Sequence, residues 1–368
     1  MSVGFAAAAV GVETCGDITY PAQNSGVVGL KPTVGLVPRS GIVPVSSFKD
    51  TVGPITRTVK DAAIVLSVIA GRCIFDPATI PIPFETVPDY VAACKPDSLR
   101  GARIAVSFAP NHIMKAIEAA LQVMESAGAE IIRDYDLVGW NYGVSERSRM
   151  PDNVMLREGL EAYFQTLATN PHGIYTMADL VSFTAMTPAE NAVGYGLEGF
   201  LAARDETHTS SSPEFHAEVH RMLEQGSAIA KMLDTASCDA LVVPTQADIP
   251  SDLGQNPVIA VPLGFRPPTT RALRSNRTLP KDRASQMIGK GPNSPFSLSF
   301  VGRRFSEEKL IGLAYAFEQK TNVLAKSRTC VQSTVPILPG PCPSGRERIG
   351  PANAASAKRR GAQGSGSK

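Results

Sequence analysis

Apolar residues along this chain alternate between short strand-like runs and longer stripes at helical spacing. Residues 102–134 show this most clearly. ARIAVSF has the length and composition of a strand, a helical stripe covers about 111–127, and AEIIRDYDL has the pattern of a second strand. Gly128 stands where such a helix ends. Because strands joined through a helix pair in parallel, this stretch predicts an α/β fold with helices on the faces of a sheet.

Two helix starts are marked by residues that favour helix N-termini. Thr58, with Asp61 three residues later, predicts the start of a helix that continues to Gly71. The apolar residues of this segment fall on one face, which the helix should bury. Ser306, followed by two acidic residues that suit the helix dipole, predicts the cap of a last helix that ends near Thr321.

The remaining segments complete a coarse prediction. Residues 2–10 are alanine-rich, and we expect them to form the last turns of a helix, with a frayed N-terminal segment as the alternative. The middle of the chain, about 151–236, is predicted to be mostly helical, with a polar surface loop at 203–214. A basic, polar stretch at 271–285 is expected to lie at the surface. Three further strands are predicted at 239–245, 257–265 and 295–302.

The composition is that of an ordinary globular protein. Hydrophobic residues make up 43% and charged residues 19% of the 368 residues, and the net charge is +2. So small a charge gives no reason to expect nucleic acid or an acidic membrane as a partner. The apolar start of the chain is only about ten residues long and has no basic residue, so it predicts neither a membrane span nor a signal peptide.

Cysteine usage and the last residues add two expectations. Six cysteines are scattered without a C-x-x-C pair, which predicts reduced thiols and a cytoplasmic protein. After Arg328 the sequence is rich in proline, glycine, serine and alanine and has no periodic apolar face. We therefore predict one domain over 1–328 and a disordered basic tail over 329–368. A cluster of three basic residues at 358–360 is expected to be solvated, with a nuclear address or an anion contact as alternatives.

The stretch 11–33, GVETCGDITYPAQNSGVVGLKPT, has the pattern of a strand followed by an active-site loop. Its glycines allow close approach of the backbone, and a Tyr-Pro turn leads to an apolar run that Lys-Pro closes. Later blocks include GLVPRSGIVPVSSFKDTVGPITRTVKDAA, CDALVVPT, NPVIAVPLGF and PFSLSFVGRRFSEEKL. Together these blocks resemble the fungal branch of the amidase signature family over about residues 3–325.

This resemblance implies one large α/β/α domain around a mixed sheet, of which this chain would lack the N-terminal part. Members of the family usually hydrolyse carboxylic amides with a serine nucleophile, a second serine that has a cis peptide bond, and a lysine base. They use neither a metal nor a cofactor. The partner that the resemblance implies is a small-molecule amide, and a fungal biosynthetic pathway is the expected setting.

Asp17 stands where the family has its nucleophilic serine. A carboxylate that attacked an amide would form a mixed anhydride, and its charge would lie where the oxyanion must develop. The resemblance assigns the N–H groups of the oxyanion hole to Thr14, Cys15, Gly16 and Asp17. We expect N–H groups of this loop to cap the Asp17 carboxylate instead.

The resemblance assigns the other two catalytic groups to positions upstream of this sequence. The second serine belongs well before the nucleophile, and Ser2 is too close to fill that role. The lysine belongs further upstream still, and Lys31 matches a different, structural position of the family. We therefore expect the chain to be inactive as given, either as a pseudoenzyme or as a truncated gene model of poor solubility. The alternative is a non-catalytic binding or scaffold protein that keeps the amide-binding cleft.

Three further candidates are interpreted as structural. His216 and His220 lie four apart in FHAEVH, but the glutamate of the zinc-protease motif is one place late, so we predict a solvated helical face and no metal site. Cys15 has no histidine near it in sequence and is expected to be a small buried thiol. Asp50, Arg57 and Asp61, in KDTVGPITRTVKD, match positions of the family where we expect a buried ion pair or a helix cap.

Overall fold

The computed structural model describes residues 1–2, 4–106, 114–133, 148–244, 254–274 and 288–326. These residues belong to the first of the two units into which the chain divides, Met1–Val331. The predicted tail at 329–368 lies outside the described residues, so its disorder and the boundary at 328 stay predictions. Most of the predicted surface stretch at 271–285 also lies outside them.

The described residues form strands and helices in alternation, numbered in chain order. The strands are β1 (Ala8–Glu13), β2 (Val28–Lys31), β3 (Thr51–Thr56), β4 (Arg103–Val106), β5 (Glu130–Ile132), β6 (Ala240–Pro244), β7 (Val258–Phe265), β8 (Leu273–Arg274), β9 (Ile288–Lys290) and β10 (Pro295–Val301). The α-helices are α1 (Thr19–Ser25), α2 (Val59–Ile69), α3 (Met114–Ser126), α4 (Met150–Gln165), α5 (Met177–Met186), α6 (Ala192–Tyr195), α7 (Glu198–Asp205), α8 (Pro213–Gly226), α9 (Ala228–Thr235), α10 (Glu307–Thr321) and α11 (Val323–Lys326). Short 3-10 helices lie at Pro77–Thr79 and Pro188–Glu190.

Eight of these strands form one mixed sheet in the order β1-β3-β2-β7-β10-β6-β4-β5. β4 pairs in parallel with β5 and with β6, whereas the other neighbouring pairs of this sheet are antiparallel. The parallel pairing of β4 and β5, with α3 between them in the chain, confirms the predicted strand–helix–strand unit, of which residues 107–113 and 134 lie outside the described residues. β8 and β9 form a separate two-stranded sheet.

Helices cover both faces of the central strands. Successive residues of β7, Val258 and Ile259, belong to two different hydrophobic clusters. Ile259 shares its cluster with residues of α2, α3 and α10, whereas Val258 shares its cluster with Ile229 and Leu233 of α9. Because side chains alternate between the two faces of a sheet, the helices lie on opposite sides of it. The predicted α/β fold with a mixed sheet between helices is therefore confirmed.

Most of the helix and strand positions predicted from the sequence agree with the structure. The strands predicted at 239–245, 257–265 and 295–302 are observed as β6, β7 and β10. Thr58 caps α2 as predicted, because its hydroxyl oxygen accepts the Asp61 N–H at 3.1 Å. Ser306 does precede α10, but its hydroxyl donates to the Arg303 carbonyl at 2.7 Å and makes no capping hydrogen bond. The prediction of a Ser306 cap is therefore wrong, although the helix starts at the predicted place.

The described residues among 2–10, which exclude residue 3, do not form the end of a helix, and 8–10 belong to β1. β1 pairs antiparallel with β3, from Ala8 opposite Thr56 to Glu13 opposite Thr51. Alanine has the strongest intrinsic preference for helices, but such local preferences are small, and the backbone pairing with a neighbouring strand outweighs them here. The exposure of the side chains alternates along β1, which is the strand signal that the alanine-rich composition concealed.

β1 lies at one edge of the eight-stranded sheet and leaves apolar surface exposed. Val10 stands opposite Pro54 of β3, and the two cannot exchange a pair of hydrogen bonds because proline has no N–H. The backbone polar groups of Val10, and by alternation those of Ala8 and Val12, therefore point away from β3, where no strand among the described residues pairs with β1. The side chains of Val10 and Val12 are 55% and 39% exposed. No lysine, arginine or proline interrupts this strand, and such an edge favours pairing with another chain.

We expect this edge to drive self-association of the chain. Val10→Lys should shift the onset of association to higher protein concentration, because lysine on an edge strand opposes pairing with another strand. Analytical ultracentrifugation over a concentration series measures the shift. Val68→Lys is the control, because Val68 is an exposed valine of helix α2 and belongs to no strand of the sheet. A wild-type chain that stays monomeric throughout the series would contradict the prediction, as would equal effects of the two substitutions.

Candidate active site

The predicted active-site loop joins the end of β1 to the start of α1. Gly16, within it, has a φ of 90°, in the left-handed region that glycine adopts without strain. α1 is short and ends at Gly26, whose φ of 63° directs its N–H to the carbonyls of Ala22 and Gln23. β2 follows, and both β1 and β2 pair with β3. The loop and α1 therefore connect two strands, β1 and β2, that both pair with β3 in the central sheet.

Asp17 directs its carboxylate back onto this loop. Its Oδ2 accepts the Thr14 N–H at 3.0 Å and the Cys15 N–H at 3.1 Å. The structure thus shows the expected capping of Asp17 for two of the loop N–H groups. Asp17 is itself exposed. Cys15 is also exposed, so the prediction that it is a buried thiol is wrong, because its loop leaves the sheet at the edge strand.

Glu13, the last residue of β1, is buried against the loop. Sequence reasoning did not single it out as a site residue. Its side chain is almost fully buried, and its Oε2 accepts the N–H groups of Ile18 at 2.8 Å and Thr19 at 2.9 Å. Burial raises the pKa of Glu13, although the charge of Lys31 and the loop N–H groups, including that of Gly16, counteract the rise. An acidic residue before a glycine-containing turn was the available signal. Its inward direction, however, depends on the pairing of β1 with β3.

Asp50 holds the other end of the loop. Its Oδ1 accepts the Thr14 hydroxyl at 2.6 Å, and its Oδ2 accepts the N–H groups of Val45 and Ser46, both at 2.8 Å. Asp50 is buried but Arg57 is exposed, so the predicted buried ion pair between them is wrong. Asp50 caps a loop, not a helix, and ties the segment before β3 to the loop after β1.

Lys31 is fully buried behind the loop and has a structural contact. Its Nζ donates to the Asn256 carbonyl at 2.7 Å. Its charge also acts on two buried carboxyls, Glu13 and Glu307, and in each it counteracts the rise in pKa that burial causes. Glu307 Oε1 accepts the Thr33 N–H at 2.6 Å, which joins the end of β2 to the start of α10. Buried polar groups, Lys31 and Glu307 with their partners, thus form a polar layer among the apolar residues of the sheet and its helices.

A further carboxyl, half-buried, lies on α10. Glu318 Oε1 accepts the N–H of Val59, the first residue of α2, at 2.9 Å. Burial raises the pKa of Glu318 to about 7, because the Val59 N–H only partly offsets the loss of water around the carboxylate. This contact joins two helices that pack on the same side of the sheet.

The Amidase family profile matches residues 1–311 of this sequence. This chain belongs to the Amidase family. The protein named "Putative amidase" from Arthroderma benhamiae is 37% identical over 344 residues, which are 90% of this chain and 56% of that protein. A probable amidase from Arabidopsis thaliana is 29% identical over 330 residues, which are 87% of this chain and 58% of that protein.

Solved structures of the Amidase family have the same fold. The native peptide amidase from Stenotrophomonas maltophilia superposes with a TM-score of 0.72 at 33% identity, and the match covers 88% of this chain and 64% of that one. The chain thus spans somewhat more than half of the length of the relatives that it matches. The match includes the strand–loop–helix unit from Ala8 to Ser25 that contains Asp17.

Two further observations concern the surroundings of the site. In the described part of the chain, no group of three or more His, Cys, Asp or Glu residues is arranged to hold a metal ion. His216 and His220 are both exposed on α8, on the solvated face that the sequence predicts. Among the same residues, no helix has the length and apolar character needed to cross a bilayer.

Glu318 gives a prediction for the pH dependence of stability. A carboxyl whose pKa is higher in the folded state binds its proton more tightly there. It therefore favours folding at low pH and loses that contribution as pH rises. For Glu318 the loss runs from its ordinary pKa of 4.5 to about 7. Between about pH 5.5 and about pH 8, wild type should lose about 1–3 kcal/mol more free energy of unfolding than Glu318→Gln.

Urea unfolding at the two pH values measures this difference. The control is Glu214→Gln, because Glu214 is exposed on α8. That substitution should leave the pH dependence as it is in wild type. A Glu318→Gln variant that loses as much stability as wild type over this range would contradict the raised pKa.

Proposed function

We propose that this chain derives from enzymes that hydrolyse a carboxylic amide to an acid and ammonia or an amine, and that it does not itself catalyse this reaction. The observation that carries the proposal is the position of the Asp17 carboxylate. It occupies the N–H groups of Thr14 and Cys15, which the family resemblance assigns to the oxyanion hole. Membership of the Amidase family supports the amide as the ancestral substrate.

The first argument is electrostatic. A tetrahedral intermediate places a negative oxygen on the N–H groups of the oxyanion hole, and donors preorganised for it stabilise the transition state. Here those N–H groups already hold a carboxylate oxygen. A second negative charge about 4 Å away would be repelled by about 4 kcal/mol near a protein surface. The Asp17 side chain would therefore oppose the intermediate that the loop should stabilise.

The second argument concerns the nucleophile and its base. Attack by the Asp17 carboxylate on an amide would give a mixed anhydride and would need an amine leaving group, which makes it a poor route. The resemblance assigns the base to a lysine outside this sequence. Lys31, inside it, donates to the Asn256 carbonyl within the sheet. We therefore assign no residue of this chain the role of base.

The setting of the protein is part of the same proposal. We propose a small-molecule amide as its ligand, no nucleic-acid or membrane partner, and a cytoplasmic location, supported by the small net charge and the scattered cysteines. A fungal biosynthetic pathway is proposed because the Arthroderma benhamiae relative is fungal. The division into a domain at 1–328 and a basic tail at 329–368 belongs to this proposal too.

A non-catalytic binding protein is the second candidate. It is favoured by the order of the loop, in which buried carboxylates hold both ends although the nucleophile is replaced. Such a protein would bind an amide at the cleft without breaking the C–N bond.

We expect neither wild type nor Asp17→Ser to hydrolyse a simple aryl amide such as p-nitroacetanilide. Serine alone is a weak nucleophile without an activating base. Release of p-nitroaniline, followed by its absorbance, measures turnover, and a chain with Asp17→Ala gives the background. Turnover by wild type would overturn the proposed inactivity. Turnover by Asp17→Ser would show that residues of this chain can supply the base.

Calorimetric titration of wild type with the same aryl amide separates the two candidates. Heat of binding without turnover would favour the non-catalytic binding protein.

Removal of the Asp17 carboxylate should leave a binding site for a small carboxylate. In Asp17→Ala the N–H groups of Thr14 and Cys15 lose their shared acceptor, and acetate can supply an equivalent oxygen. Acetate should therefore raise the Tm of Asp17→Ala more than that of wild type, by the ordinary linkage of ligand binding to folding. Chloride at equal ionic strength is the control. Equal effects of acetate on the two proteins would contradict the assigned role of Asp17.

A further inference from the structure

We infer that Glu13 and Asp50 are positioning residues that hold the Thr14–Asp17 loop in shape, whatever side chain stands at position 17. The inference rests on the proposed role of this loop as a set of N–H donors. It assigns the shape of the loop to two buried carboxylates that do not belong to the nucleophile position.

The Glu13 carboxylate closes the loop from below. It belongs to the last residue of β1, and its backbone is fixed opposite Thr51 by the pairing with β3. One oxygen, Oε2, accepts both the Ile18 and the Thr19 N–H, at 2.8 and 2.9 Å. The strand residue before the loop is thus joined directly to the first residues after it. The residues between have little freedom to change their path.

Asp50 fixes the loop from the side. The Thr14 hydroxyl donates to Asp50 Oδ1 at 2.6 Å, which is the short distance typical of a hydroxyl bound to a carboxylate. Asp50 Oδ2 is held by the N–H groups of Val45 and Ser46. Its carboxylate therefore cannot turn toward solvent without leaving buried donors unpaired.

The segment that carries Asp50 is itself anchored to the helical layer. Lys49 Nζ forms an ion pair with Asp152 Oδ1 of α4 at 2.7 Å, and the Lys49 side chain is only 3% exposed. Ser46 Oγ contacts Met155 Sδ of the same helix at 3.1 Å. Thr14 is thus hydrogen-bonded to Asp50 in a segment that contacts of Lys49 and Ser46 with α4 hold in place, independently of the loop.

Neither contact involves residue 17. The Asp17 side chain is exposed and accepts hydrogen bonds from the N–H groups at the start of the loop. Glu13 and Asp50, in contrast, are buried at 1% and 2% exposure. Replacement of Asp17 should therefore free the two N–H groups without moving them. A family loop can then lose its nucleophile and still keep the geometry of its donors.

The test uses pairs of substitutions that differ in one polar atom. Thr14→Val removes the hydroxyl and keeps the shape, whereas Thr14→Ser keeps the hydroxyl. Glu13→Ala removes the acceptor, whereas Glu13→Gln keeps one oxygen for both N–H groups. In the full chain, Thr14→Val should speed hydrogen exchange of the Thr14 and Cys15 amides about tenfold, and Glu13→Ala that of the Ile18 and Thr19 amides, by mass spectrometry with residue resolution. Thr14→Ser and Glu13→Gln should exchange as wild type does.

A second measurement asks whether the donors stay in position. In the Asp17→Ala chain, the acetate concentration for half of the maximal rise in Tm should increase at least about tenfold on Thr14→Val and should be unchanged on Thr14→Ser. Thr58→Ala, which removes the α2 cap, controls for general destabilisation and should change neither readout.

Equal exchange rates in Thr14→Val and Thr14→Ser would overturn the inference for Asp50, and equal rates in Glu13→Ala and Glu13→Gln would overturn it for Glu13. The inference would also be overturned if exchange rose as much in the amides of β7 as in the loop, since the effect would then be global. Failure of the proposed function has a different signature. Amide turnover by wild type, or no acetate effect in Asp17→Ala, would leave the exchange measurements as an independent test.

Discussion

The N–H groups between β1 and α1 need acceptors that neither the sheet nor the helix provides. Four of them, from Thr14, Cys15, Ile18 and Thr19, are accepted by two carboxylates that stand at the two ends of the same short loop. The Ile18 and Thr19 donors are buried, and a buried donor without a partner costs about 1–3 kcal/mol, so the path of the backbone there depends on Glu13. The apolar sheet fixes where the loop begins, and the buried carboxylates of Glu13 and Asp50 hold its shape.

This arrangement brings loop stability and catalysis into conflict at position 17. A hydrolase needs N–H donors that stay unsatisfied until the oxyanion forms, and such donors destabilise the resting protein. Asp17 satisfies two of them permanently. The same hydrogen bonds that complete the loop would therefore remove the driving force for binding a transition state.

The sequence predicted the sheet and its helices better than it predicted the site. The strands at 239–245 and 257–265 contain apolar runs, because both of their faces are buried, and such runs are easy to recognise. In the strand at 295–302 two serines alternate with large apolar residues. β1 was missed because its alanines favour a helix locally and only its pairing with β3 makes it a strand. The capping of Asp17 could be anticipated, since donors and acceptor lie within four residues. Glu13 and Asp50 could not, because their directions depend on strand register and on contacts such as that between Thr14 and Asp50.

The polar layer beneath the loop also has a consequence for the order of folding. Lys31 meets Asn256 across 225 residues, and the Thr33 N–H meets Glu307 across 274 residues. Contacts between such distant parts of a chain form late, because the intervening segment must first be brought together. The loop precedes both of these partners in the chain and leaves the ribosome before them. The contact of Thr33 with Glu307 can form only when α10, close to the end of the described chain, has been made and has docked. The polar layer around Lys31 and Thr33 is thus begun early in synthesis and completed only near the end of the described chain.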